Sequence, residues 1–363
     1  MNSLETLFSP YQLGSLTLQN RIVMAPMTRS RAIGNIPNDL MAQYYGSRAS
    51  AGLIITEGTS PSPNGLGYAR IPGMYSDEQI KGWKKVTDAV HQSGGKIFVQ
   101  LMHTGRISHP LNMPEGAEVI GASPIAVANT PMYTDQEAMQ PLPVPKEVAA
   151  GEIPSIIAEF VHAAKSAVAA GFDGVELHAA NGYLLEQFLN TASNKRTDEY
   201  GGSIENRNRL VLEVTEAVAN AIGKDKTGIR LSPFGAFGEM LPDEATEEQY
   251  AQLAAGLKAI GIVYIHVVDH SSMGTPAVPQ SVKDAVRKEF GGTIILSGGY
   301  DAVRAEADLK AGKGELVAFA RPFIANPDLV KKFAAGGEPA SPDPDTFYTP
   351  GEKGYTDYPV SAN

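Results

Sequence analysis

Short runs of β-branched and other apolar residues alternate along the chain with longer stretches whose apolar positions recur at helical spacing. The runs fall at 22–25, 53–56, 96–101, 172–177, 227–231, 263–268, 293–296 and 315–319. The helical stretches follow at 38–50, 77–93, 153–170, 204–222, 247–260, 280–289, 302–311 and 328–334. Strand and helix in strict alternation predict parallel βα units, and eight of each is the count of an α/β (β/α)8 TIM barrel. Two segments break the repeat. Residues 11–13 and 16–18 flank Gly14-Ser15, an N-terminal hairpin placed to cap the barrel's N-terminal mouth. Residues 108–152, after the third run, are too long and proline-rich for a plain connection and predict a lid at the C-terminal mouth. No compositional break divides 1–363, so the whole chain reads as one barrel domain with 108–152 a lid within it.

Composition narrows the chemistry. The absence of cysteine among 363 residues excludes disulfides, thiolate metal sites, cysteine nucleophiles and cysteine-ligated iron–sulfur clusters, so redox work would require an organic cofactor. Forty carboxylates against thirty Lys and Arg give a net charge of -10, which disfavours nucleic acid and anionic lipid and points to small-molecule partners. No apolar run approaches the roughly 18 residues of a membrane helix, and residues 1–10 lack a secretion pattern, so a cytoplasmic protein is expected. His266 and His270 straddle a strand end, and no ligand cluster suggests a metal. Neither G-x-G-x-x-G nor a P-loop occurs, so a nicotinamide donor would bind without a Rossmann unit.

Barrel chemistry gathers where strands end at the C-terminal face. Thr28, Gln100, His103, His178, Asn181, Arg230, Gly298-Gly299 and Arg321 all arrive there. The Gly298-Gly299 turn and Ala320-Arg321-Pro322, after the last two strands, suit a phosphate held by loop amides and a guanidinium; a tight turn and a surface ion pair are the plainer alternative. Strand parity turns Glu176, His178 and Arg230 to the same interior. Gln100 with Arg230 suits the imide edge of a planar heterocycle, unless Arg230 simply pairs with Glu176. His178 and Asn181, three apart at a strand-to-helix turn, can both donate to one oxygen, and Tyr183 can deliver a proton. Taken singly, these three also fit a core histidine, a helix cap and a packing tyrosine.

The runs Asn20-Arg21-Ile22-Val23-Met24-Ala25-Pro26-Met27-Thr28-Arg29, Gln100-Leu101-Met102-His103-Thr104-Gly105-Arg106, His178 through Leu189, Arg196 through Arg207, and Arg321 through Pro327 together resemble the old yellow enzyme family, over nearly the whole length. The resemblance is to its bacterial branch of N-ethylmaleimide and pentaerythritol tetranitrate reductases. It implies a non-covalent FMN at the C-terminal mouth, with Arg321, Gly298 and Gly299 on the phosphate, Gln100 and Arg230 on the pyrimidine edge, Thr28 near O4, and Pro26, Gly58 and Ala320 also lining the flavin. It implies NADPH as hydride donor, ping-pong turnover, and ene-reduction of unsaturated carbonyls, maleimides and nitroalkenes. In that scheme His178 and Asn181 bind the substrate oxygen, Tyr183 protonates the α-carbon, and Tyr68 and Tyr348 line the rim.

Met102 stands where this branch commonly has Trp, and the flexible thioether is expected to widen the pocket and alter facial selectivity. The competing reading is a flavin-free barrel lyase or hydrolase acting on a phosphorylated substrate. Monomer and homodimer are both compatible with the sequence.

Overall fold

The computed structural model describes residues 4–360. Eight parallel strands close on one another: β1 (Ile22–Met24), β2 (Leu53–Thr59), β3 (Ile97–Leu101), β4 (Gly174–Ala179), β5 (Thr227–Leu231), β6 (Tyr264–Val268), β7 (Thr293–Ser297) and β8 (Leu316–Phe319). The ring is sealed by β8 against β1, with Val317 opposite Ile22 and Phe319 opposite Met24. Helices α1 (Asp39–Gly46), α2 (Asp77–Gln92), α3 (Ile153–Ala169), α4 (Ile204–Ile222), α5 (Thr246–Ile260), α6 (Gln280–Phe290), α7 (Ala302–Lys310) and α8 (Leu329–Ala334) surround it. The predicted barrel is present, with boundaries moved by a few residues at most ends.

Local chemistry explains the ends. Asn38, Ser203 and Asp301 accept from the amides of Met41, Asn206 and Arg304, and Ser76 forms a reciprocal capping box with Gln79. Strand β2 runs three residues beyond the expected end because its register slips between Ile55 and Gly58. That bulge turns Glu57 out of the barrel, where its carboxylate meets the Tyr45 hydroxyl at 3.1 Å.

Two cores result. The larger lies between strands and helices; the smaller fills the lower barrel with Val23, Leu53, Ile55, Phe98, Tyr264, Ile295 and Leu316. Leu13 and Leu18 of the antiparallel hairpin Tyr11–Leu13 and Leu16–Leu18 join this inner core, so the hairpin plugs the N-terminal mouth. Gly174 and Gly228 lie opposite Phe98 and Tyr264, and a side chain at either glycine would overlap those rings.

The long excursion has structure that its sequence did not suggest. Ile120–Gly121 pairs in parallel with Lys146–Glu147, and Met132–Thr134 forms a hairpin with Ala138–Gln140. Ile107, Val127, Met132 and Leu142 make a separate small core there. No helix among the described residues is long and apolar enough to cross a membrane.

Candidate active site

Above the apolar plug the barrel interior becomes polar. Glu176 of β4 accepts from Gln100 Nε2 at 2.8 Å and from Tyr264 Oη at 3.1 Å, and lies 2.9 Å from His266 Nδ1. Burial pushes the Glu176 carboxyl up, but His266, Arg230 and the donated hydrogen bonds outweigh it and hold it ionised. Arg230 is buried and forms no ion pair with Glu176 within bonding distance, so the purely structural pairing is not realised. Its Nε is buried without a hydrogen-bond partner, as is His103 Nε2. Buried polar groups are rarely left so, and the Arg230 Nε marks a point in the barrel interior where a ligand's acceptor would be met.

The β4 wall is built differently. After Ala179 the chain turns through Asn181 (φ 57°) and Gly182 (φ 78°) into a short helix, Leu184–Leu189. Asn181 N donates to Ser232 Oγ at 2.8 Å, Ser232 donates to Glu186 at 2.8 Å, and Gly182 N donates to the other Glu186 oxygen at 2.5 Å. Burial raises the Glu186 carboxyl to about 7, against the lowering effect of these donors and Tyr250. His178 Nδ1 accepts the Ala180 amide at 3.3 Å, which places the ring proton on Nε2. Burial, followed by the Arg230 charge, holds His178 well below its ordinary pKa, so it is neutral. Asn181 Oδ1 is engaged by His270 Nε2 at 2.7 Å, which leaves its Nδ2 as a donor. Tyr183 stacks edge-on to His178 with centroids 4.8 Å apart, and its hydroxyl meets Tyr68 Oη at 2.9 Å.

Other expected residues take several positions. Pro26 and Gly58 are buried and Thr28 half-buried at the ends of β1 and β2. Gly298 (φ 136°) and Gly299 (φ 60°) follow β7, while Ala320 precedes the short helix Arg321–Ala325, whose first residue is exposed. Tyr348 is 61% exposed, its carbonyl held by Arg70 Nη2 at 2.8 Å. Met102 is 1% exposed, packs with Leu66 and Ile71, and fills the space that a side chain at position 58 would need. Tyr68 and Tyr183 rest on that cluster.

Sequence reasoning missed Glu186, Ser232 and Tyr250 as supports of the turn, and His270 as the partner of Asn181. The histidine pair weighed for metal is divided, His266 to Glu176 and His270 to Asn181.

The unpartnered Arg230 Nε and the donor-rich β4 wall thus lie toward the C-terminal ends of the strands, where barrels carry their ligand sites. The model of the NADH:flavin oxidoreductase / NADH oxidase family matches residues 6–339, and the chain belongs to that family. A probable flavin mononucleotide-dependent alkene reductase of Leishmania infantum is 41% identical over 98% of both chains. The 12-oxophytodienoate reductase 7 of Oryza sativa subsp. japonica is 40% identical over 97% of this chain and 94% of its own. Morphinone reductase superposes with a TM-score of 0.94 at 45% identity, covering 98% of this chain and 96% of that one. A morphinone reductase complex with tetrahydroNAD gives the same score and identity over 98% of each chain. The old yellow enzyme homologue from Zymomonas mobilis matches at 0.94 and 38% over 98% and 100%. This protein is therefore an FMN-dependent oxidoreductase with a nicotinamide hydride donor. The flavin-free lyase or hydrolase is not favoured.

Proposed function

We propose that this enzyme reduces activated C=C bonds in α,β-unsaturated carbonyls, maleimides and nitroalkenes, taking electrons from NAD(P)H. The observation that carries this reading is the β4 turn, where a neutral His178 with its proton on Nε2, a free Asn181 Nδ2 and the Tyr183 hydroxyl follow one another. Bound FMN supplies the hydride that goes to the β-carbon.

The residues fit that cofactor. Arg230 Nε and Gln100, whose Nε2 is already committed to Glu176, would bind the pyrimidine edge, with Thr28 near O4 and Pro26, Gly58 and Ala320 lining the ring. Arg321, Gly298 and Gly299 would take the phosphate. His178 and Asn181 donate to the substrate's carbonyl or nitro oxygen, where negative charge grows as the β-carbon accepts hydride. Tyr183, held well above the ordinary phenol pKa by burial and then by Tyr68, stays protonated at neutral pH and gives its proton to the α-carbon. Tyr68 and Tyr348 line the mouth, and residues 108–152 form its lid within a single barrel domain. The soluble, acidic, cysteine-free composition supports a cytoplasmic setting.

The test is anaerobic stopped-flow absorbance of purified protein mixed with NADH or NADPH and then 2-cyclohexenone. Bleaching of the flavin band followed by its return is expected. Bleaching with no return on any activated alkene would overturn the alkene-reductase reading.

A further inference from the structure

Tyr68 was expected only to line the rim, but its hydroxyl is placed for more. Among the described residues it is the hydrogen-bond partner of Tyr183 Oη, at 2.9 Å, with the rings edge to face at 88° and centroids 6.1 Å apart. Apolar side chains surround the pair: Ile107, Val127 and Met132 on one side, Leu66, Ile71 and Met102 on the other. In such surroundings a tyrosinate at position 183 is poorly hydrated, and besides the Arg230 charge the Tyr68 hydroxyl is the group in hydrogen-bond reach that can answer it.

We propose that Tyr68 is a second catalytic acid, relaying a proton to Tyr183 as Tyr183 protonates the substrate. This rests on the reading of Tyr183 as the α-carbon acid. In the step the Tyr183 O–H bond breaks as the α-C–H bond forms. In the same step the Tyr68 O–H bond breaks as that of Tyr183 is re-formed, and Tyr68 afterwards takes a proton from water at the mouth. One proton is drawn from solvent per alkene reduced, and no electron moves between the tyrosines. Burial raises both hydroxyls, while their shared hydrogen bond lowers that of Tyr68 and raises that of Tyr183, the sense in which a proton moves from Tyr68 to Tyr183. The outer end of the path is open: Tyr68 is half-buried, and the exposed Tyr348 is near enough to act electrostatically on both phenols.

A hydrogen bond that merely orients Tyr183 makes different predictions, and Tyr68→Phe, Tyr183→Phe and the double variant separate the two. Each FMN-loaded protein is reduced with NADH and mixed anaerobically with 2-cyclohexenone, and reduced product is quantified by chemical quench. Each rate is divided by the same variant's reduction rate, which requires no proton from Tyr183. Tyr183→Phe is expected to slow product formation about 100-fold or more, and Tyr68→Phe about 10- to 100-fold. The double variant should be no slower than Tyr183→Phe, since a relay has nothing to deliver once its acceptor is gone. In H2O–D2O mixtures the wild-type rate should bow with deuterium fraction, as two moving protons require, and the Tyr68→Phe rate should fall on a straight line. Multiplicative losses in the double variant, or a wild-type rate in Tyr68→Phe beside a slow Tyr183→Phe, would remove the relay and leave Tyr183 as the acid. A wild-type rate in Tyr183→Phe would remove both.

Discussion

Two walls of the same mouth are prepared in opposite ways. On the β4 wall every group aimed at a passing substrate is already fixed by the protein: His178 by the Ala180 amide, Asn181 by His270 and Ser232, Tyr183 by Tyr68. The wall formed by β7 and β8 presents Gly298 and Gly299 in a turn and Arg321 in the open, and Arg230 at the floor is buried with its Nε unsatisfied. On the proposed reading, the difference separates transient from resident ligands. Groups that act on each substrate anew must be oriented beforehand, since ordering them at every turnover would cost rate. Groups that hold a cofactor for the life of the protein can be left for that cofactor to complete.

The comparison is sharpened most by Arg230→Met. Burial weighs on the Arg230 guanidinium more than the Glu176 charge relieves it, so the FMN-free variant should melt above the FMN-free wild type, by about 1–4 kcal/mol of stability. FMN affinity should fall by two to three orders of magnitude, read by flavin fluorescence titration. An FMN-free variant that melts lower would show that the guanidinium is satisfied without cofactor.

A smaller loss, about 10- to 100-fold in FMN affinity, is expected for Arg321→Ala, with the FMN-free melting temperature unchanged because the side chain is exposed. Riboflavin, which has no phosphate, should bind wild type and variant alike. Equal losses for both flavins would break the assignment of this wall to phosphate.

The smallest effect belongs to the prepared wall and is read in pH. Glu186 has a folded pKa of about 7 against the ordinary 4.5, so the native state binds its proton more tightly than the unfolded chain does. Its contribution is fully present below about pH 4.5 and is lost as pH rises through about 7, on the order of 3 kcal/mol at most. Glutamine at 186 removes that titration, so the melting temperature of Glu186→Gln should gain on wild type by a few degrees between about pH 5 and 8. Parallel curves would mean that the carboxyl is not held neutral. Glu57, also raised to about 7 by burial, titrates in the same window and remains in both proteins.

How much of this was readable in the sequence varies by region. The β-branched runs of Val263–Val268 type give away the barrel because parallel strands are buried on both faces and read as continuous apolar segments. Helix Leu184–Leu189 gave no sign because all six of its residues are buried, which erases the polar face that marks a helix. His178, Asn181, Tyr183 and Arg230 stand out at strand ends; Glu186 does not, since its importance comes from burial and from the Ser232 and Gly182 donors, which meet it only in three dimensions. Glu57 left one trace, a charge inside the apolar stretch Leu53–Thr59, which marks the bulge that turns it outward. Met102 was identified as a departure, but its packing beside Gly58 and with Leu66, Ile71 and the two tyrosines is formed only in three dimensions.

The C-terminal segment that carries Tyr348 is secured by two arginines that lie just after β1. Arg29 Nη2 donates to the carbonyl of Gly354 at 2.7 Å, and Arg31 donates to those of Thr346, Phe347 and Lys353 at 2.7–2.9 Å. Tyr355 stacks on Tyr44 at 4.0 Å, closing the clasp from α1. In a chain made from one end to the other, these guanidiniums are synthesised some 315 to 325 residues before the carbonyls they hold. The barrel ring can therefore close around β8 while its first loop still lacks its partners, and that loop is tied down only once residues 346–355 have been made. The finished rim waits on the segment that follows β8, rather than on closure of the ring.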